Sequence, residues 1–134
     1  MTEYRNELGQ YHRLDGPAIE HPDGTKYWLQ NDQLHRVNGP AIEKPDGSND
    51  WYQNGLRHRD NGPAYHDSSG NRSWWRDGVL HRLDGPAIEY GNGTRAWHVN
   101  GYDITVNVES WLNEQQLSLP LNESSQVIFI LKFG

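Results

Sequence analysis

Aromatic and small apolar residues recur along this chain in a fixed rhythm, with polar residues between them. Trp stands at 28, 51, 74 and 97, and Gly-Pro-Ala at 16–18, 39–41, 62–64 and 85–87. His-Arg stands at 12–13, 35–36, 58–59 and 81–82, and a turn glycine at 24, 47, 70 and 93. Every series steps by 23 residues without a slip. Four units therefore run from about residue 8 to residue 99. A fifth opens as Asn100-Gly101 and then diverges.

The unit reads as β-hairpin. Its apolar runs are short, and Asp23-Gly24, Asn54-Gly55, Asp77-Gly78 and Asn100-Gly101 suit two-residue type I′ turns. A turn at Asp23-Gly24 pairs Pro22 with Thr25 and sets Ile19 opposite Trp28. A second at Asn31-Asp32 pairs Gln30 with Gln33 and sets Trp28 opposite His35. The same rule predicts the rows Ile42–Trp51–His58, Tyr65–Trp74–His81 and Ile88–Trp97–Ile104. Ile104 takes the place of His in the last row, so the His column is expected to face the core side beside Trp. Ala18, Ala41, Ala64 and Ala87 form a constant small column. Gly-Pro after each His-Arg lacks a backbone donor and marks the corner between hairpins.

After Gly101 the pattern changes. Asn107 is a candidate N-cap, and Val108, Trp111 and Leu112 have helical spacing, which predicts a helix near 108–117. Pro120 ends it, and the apolar run Val127-Ile128-Phe129-Ile130-Leu131 reads as a buried strand. That strand is expected either to cap the array or to pair with a second copy of the chain or another partner. The expected fold is all-β: a meander of 23-residue hairpin repeats with a capping helix and strand. Residues 1–103 form the array and 104–134 the cap, within one domain.

Composition sharpens this picture. Leu, Ile, Val and Phe number 26 of 134, and 13 of those lie in the last 31 residues. The array must fold on aromatics, alanines and hydrogen bonds, while the tail reads as ordinary core. Six Trp and seven Tyr argue against disorder despite the net charge of −6. No transmembrane run or apolar leader is visible, so a cytoplasmic location is expected, with no membrane role. There is no Cys, hence no disulfide and no thiol nucleophile. The acidic balance argues against a nucleic-acid backbone as direct ligand.

The repeated columns offer candidate chemistry. Equivalent His residues sit about 9–10 Å apart at a strand spacing of about 4.8 Å, too far to share one metal ion. No metal, cofactor or catalytic residue is assigned. Arg13, Arg36, Arg59 and Arg82 each precede Asp or Asn by two residues. They either clip the Gly-Pro corner and stack on an aromatic ring, or form a ladder that recognises an anion. The columns that vary between units carry Tyr52 and Trp75, with Arg57, Arg72 and Arg76 near them. These residue types are enriched at protein–protein hot spots, so this is the expected partner surface.

The 23-residue period, the Asn-Gly and Asp-Gly turns and one Trp per unit resemble the MORN family of repeats over roughly residues 8–103. The stretch matching the family's Tyr-x-Gly-x-Trp core is Tyr27-Trp28-Leu29-Gln30-Asn31, and the step is His35-Arg36 followed by Gly39-Pro40-Ala41. The variant is similar to His-Arg-x-Asp-Gly-Pro-Ala repeats of phage and bacterial proteins. The resemblance implies binding rather than catalysis: an accessory protein, phage-encoded, that binds and blocks a host defence or nucleic-acid-processing factor in the host cytoplasm. A binder of a small anionic ligand or nucleotide is the alternative.

Overall fold

The computed structural model describes all residues, 1–134. It shows the expected meander of antiparallel hairpins, closed at its C-terminal end by helices. Each unit supplies three extended segments. In the first complete unit these are Ile19–Glu20, a middle segment that breaks at Trp28 into Lys26–Tyr27 and Leu29–Gln30, and the return segment Gln33–Leu34. The break divides each unit between two layers. Segments before Trp28 and its equivalents join a nine-stranded antiparallel sheet, and segments after it form a row of four two-stranded hairpins. Successive hairpins are tied through main-chain bonds, such as Arg36 N–H to Tyr52 O at 3.0 Å and Gly55 N–H to Leu34 O at 2.9 Å. The first edge of the large sheet is covered by Thr2–Glu3, which pairs with Ile19–Glu20.

The two kinds of turn differ. Asn31 and Asp32 both have positive φ (51° and 65°), and Gln30 faces Gln33, as the I′ reading predicts. Trp28 O accepts the His35 N–H at 3.0 Å, and the equivalent bonds join Trp51 to His58, Trp74 to His81 and Trp97 to Ile104. The other turn is one residue longer than expected. Ile19 faces Tyr27, not Trp28, and Glu20 faces Lys26. The corresponding partners are Ile42 with Asp50, Tyr65 with Ser73 and Ile88 with Ala96. The cause is local. Only Gly24 has positive φ there, His21 O accepts Gly24 N–H at 3.0 Å, and Asp23 Oδ1 accepts Thr25 N–H at 2.8 Å. This is a three-residue loop built on a type I turn, with Pro22 at its first central position.

The four alanines of the constant column have no exposure at all. Each of the last three accepts a main-chain bond from the Trp of the preceding row, Trp28 N–H to Ala41 O being 2.7 Å. A side chain larger than alanine's would have to displace close-packed neighbours at these fully buried positions.

The contiguous hydrophobic core lies at the C-terminal end: Trp97, Val99, Val108, Trp111, Leu112, Leu121 and Phe129. Helix α1 spans Thr105–Glu114, three residues earlier than predicted, and Asn107 lies inside it. Asp103 accepts the Thr105 N–H at 3.0 Å and its hydroxyl at 2.6 Å, which sets the start. The predicted strand at Val127–Leu131 is instead part of helix α2, Glu123–Phe133. Asn122 caps it by accepting the Ser125 N–H at 2.8 Å, and Glu123 and Lys132 sit at the ends that the helix dipole favours. Packing decides the conformation: Ser125, Phe129 and Phe133 recur at helical spacing, and Phe129 stacks between Trp97 and Trp111 at 5.3 and 6.2 Å. A continuous apolar run does not distinguish helix from strand until such partners are known. Neither helix is long and apolar enough to cross a membrane.

Candidate functional site

Alternation along the strands gives the array two chemically different faces. One carries the Trp column, the His-Arg pairs and the carboxylates around them. Each His uses Nδ1 to accept the first N–H of the next unit's tight turn: His12 from Asn31 at 3.1 Å, His35 from Asn54 at 2.9 Å, His58 from Asp77 at 3.0 Å and His81 from Asn100 at 2.9 Å. The imidazoles are clips between units, with the proton on Nε2. At His58 that Nε2 donates to Asp60 at 2.9 Å. The register puts Ile104 in the place of a fifth His, where no further turn follows. Burial, with the nearby Arg76 charge, holds His81 below the ordinary histidine pKa.

The Arg column closes the Gly-Pro corners. Nη1 donates to the Pro carbonyl four residues on, at 3.3 Å for Arg13, 3.1 Å for Arg36 and 3.0 Å for Arg59 and Arg82. Each guanidinium stacks on a ring: Arg36 on Trp28 at 3.9 Å, Arg59 on Trp51 at 3.9 Å, Arg82 on Trp74 at 3.7 Å, and Arg13 on Tyr4 at 4.1 Å. The corner glycine covers the other side so closely that a Cβ on Gly39 would lie 2.6 Å from Arg36 Cζ.

Charge neutralisation along the ladder is uneven. Arg13 pairs with Asp15 at 3.1 Å, Arg36 with Glu43 at 2.8 Å, and Arg82 with Asp84 and Glu89 at 2.8 and 3.1 Å. Arg59 has no carboxylate partner, and burial pushes its pKa below the usual arginine value. It lines an open cleft of about 680 Å³ between two corners, with Asp60, Trp74, Arg76, Arg82 and Asp84 among the other walls.

The second face is the aromatic groove between the sheet and the row of hairpins. Tyr52 faces Arg57 across one hairpin, and Trp75 faces Leu80 across the next. Arg57 gathers three rings, with Cζ 5.5 Å from Tyr52, 5.4 Å from Tyr65 and 5.0 Å from Trp75. Its Nη2 lies 2.9 Å from Asp50 Oδ1, while its buried Nε has no partner. Burial raises the Asp50 pKa and outweighs the opposing pull of Arg57. Trp75 Nε1 donates to Ser73 Oγ at 2.7 Å, and a cavity of about 280 Å³ opens beside it, lined by Tyr65, Ile88 and Tyr90. All of these rings are partly exposed.

Of the five residues expected at a partner surface, Tyr52, Arg57 and Trp75 come together. Arg72 and Arg76 stand outside the cluster around Arg57, though Arg72 borders the small cavity beside Trp75 and Arg76 borders the larger cleft that Trp75 also touches. Arg72 pairs with Glu89 at 2.6 Å on the Trp face, and Arg76 stands beside His81. Asp50 and Tyr65 are groove residues that the register error concealed. Their signal is in the sequence: Tyr27, Asp50, Ser73 and Ala96 form a column that changes at every unit. On α2, Val127, Ile128, Ile130 and Leu131 stay 56, 51, 45 and 82% exposed, whereas Phe129 is buried. No group of His, Asp and Glu is placed to hold a metal ion.

Comparison with known proteins gives no match to any family model, curated protein or solved structure.

Proposed function

We propose that the chain is a non-enzymatic protein-binding module whose partner occupies the aromatic groove. The observation that carries this reading is the contrast between the columns. The His, Ala and corner Gly columns are occupied with joining one unit to the next, whereas Tyr52, Tyr65 and Trp75 vary between units and remain open around Arg57. Aromatic residues and arginine in a half-buried groove are the anchors that protein partners use. The MORN-like repeat supports binding over catalysis. The similarity to phage repeats supports an accessory protein that blocks a host defence or nucleic-acid-processing factor in the host cytoplasm. The test is paired capture from host lysate, with the wild-type chain and with Tyr52→Ala plus Trp75→Ala. The variant should stay folded by circular dichroism and lose the wild-type partner. Equal recovery by a folded variant overturns the reading.

The exposed side of α2 favours a second partner, another copy of the chain. Ser124, Val127, Ile128 and Leu131 share one side of the helix, and Glu123 and Lys132 lie at its two ends. Two such helices packed antiparallel about a two-fold axis bring Val127, Ile128 and Leu131 of one copy against the same residues of the other. That surface is its own complement.

A further inference from the structure

We propose that Arg59 is a carboxylate-binding site, completed by an acidic group from outside the chain. The sister units define the ligand. Asp15 sits on Arg13, Glu43 on Arg36, and Asp84 and Glu89 on Arg82, each within 3.1 Å of the guanidinium. The carboxylates come from two positions, two and seven residues after the arginine. In the third unit both are changed, to Asn61 and His66. The scaffold that holds Arg59 is nevertheless intact: the stack on Trp51 at 3.9 Å, the bond to Pro63 O at 3.0 Å, and Gly62 beneath it.

The neighbouring acids do not fill the gap. Asp60 is engaged by His58 Nε2, and Asp84 by Arg82 Nε. His66 Nε2 lies 3.4 Å from the Asn49 amide. A planar, stacked guanidinium with a free edge binds carboxylate with two parallel bonds, and partial burial strengthens them. The cleft of about 680 Å³ at this corner admits an Asp or Glu side chain or a chain-terminal carboxylate. The site lies on the Trp face, where the cleft also touches Trp75, and it rests on Arg59 and its sister arginines rather than on the reading given to the aromatic groove.

Nuclear magnetic resonance of the arginine Nε–Hε groups tests this on the full chain. The Arg59 signal is identified by its loss in Arg59→Lys. Acetate is titrated against chloride at constant ionic strength, and then a Glu-containing peptide with blocked ends. The Arg59 signal should move saturably while those of Arg36 and Arg82 stay in place. Asn61→Asp restores the carboxylate of the sister units. It should move the Arg59 signal to the acetate-bound position unaided and reduce the response to acetate at least fivefold. His66→Glu, which restores the second position, should do the same and stands in if Asn61→Asp misfolds. Tighter binding of the peptide than of acetate assigns the carboxylate to a protein partner, and equal binding assigns it to a small acid. The proposal is overturned if Arg59 responds no more than Arg82, or if both restored variants respond like the wild type.

Discussion

The imidazole Nδ1 of His35 accepts the backbone N–H of Asn54, 19 residues away, at 2.9 Å. The same bond recurs at His12, His58 and His81, so four clips join successive hairpins and each requires an unprotonated Nδ1. The sign of the pH effect follows from His81. Its pKa in the folded chain is lowered, so the folded state resists protonation more than the unfolded state. This stabilisation is complete above the ordinary histidine value of about 6.5 and is lost as pH falls through the folded value. Thermal melts should show Tm falling between pH 7.5 and 5.5, before the carboxylates titrate. His81→Leu should cost about 1 kcal/mol at pH 7.5 through the lost hydrogen bond and flatten the pH slope. A slope unchanged in this variant would show that the clip does not couple folding to protonation.

Gly39 and Arg36 have to be considered together. A methyl group on Gly39 would sit 2.6 Å from Arg36 Cζ and push the guanidinium off Trp28. Gly39→Ala should destabilise the chain by about 1–3 kcal/mol, the usual cost of overpacking. In an Arg36→Ala background the same substitution should cost at least 1 kcal/mol less, measured by urea unfolding as a double-mutant cycle. Strict additivity would place the need for glycine in the backbone rather than in the stack.

The period, the Trp rows and the I′ turns were legible because each depends on a few adjacent residues. Asn54-Gly55 can do little but make a tight turn, and both residues have positive φ. Asp23-Gly24 does not repeat this, although Asp77-Gly78, the same dipeptide, makes the tight turn with both φ positive, because Pro22 before Asp23 favours a type I turn and one more loop residue. That single residue shifted the sheet register and hid Asp50 and Tyr65 from the candidate site. The uneven placement of aliphatics did locate the core, since Val108, Leu112, Leu121 and Phe129 all lie in the tail. The helix over Val108 and Leu112 was legible from its spacing, but the conformation of α2 was not: it is decided by Trp97 and Trp111, which only the folded chain brings to Phe129.

The half-buried pair Asp50–Arg57 is replaceable for folding. Neighbouring units carry Ser73 and Leu80 at the same positions, without an ion pair. Arg57→Leu alone leaves Asp50 with its raised pKa and no counter-charge, and should cost about 2 kcal/mol. Asp50→Ser with Arg57→Leu should recover to within about 1 kcal/mol of the wild type, since it removes both desolvated charges. Chemical denaturation of the three chains measures this. If the double variant also loses the captured partner, the pair serves recognition; a double variant no more stable than Arg57→Leu makes it a structural requirement.

The outer side of α2 separates folding from association. Ile128 is 51% exposed, whereas Phe129 beside it is fully buried against Trp97. Ile128→Lys should therefore leave the melting of the single chain intact, and Phe129→Ala should cost about 3–5 kcal/mol. In light scattering at high protein concentration the wild type should have the mass of two chains and Ile128→Lys the mass of one. A wild-type chain with the mass of one copy would remove this interface. A dimer that survives Ile128→Lys would place the contact elsewhere.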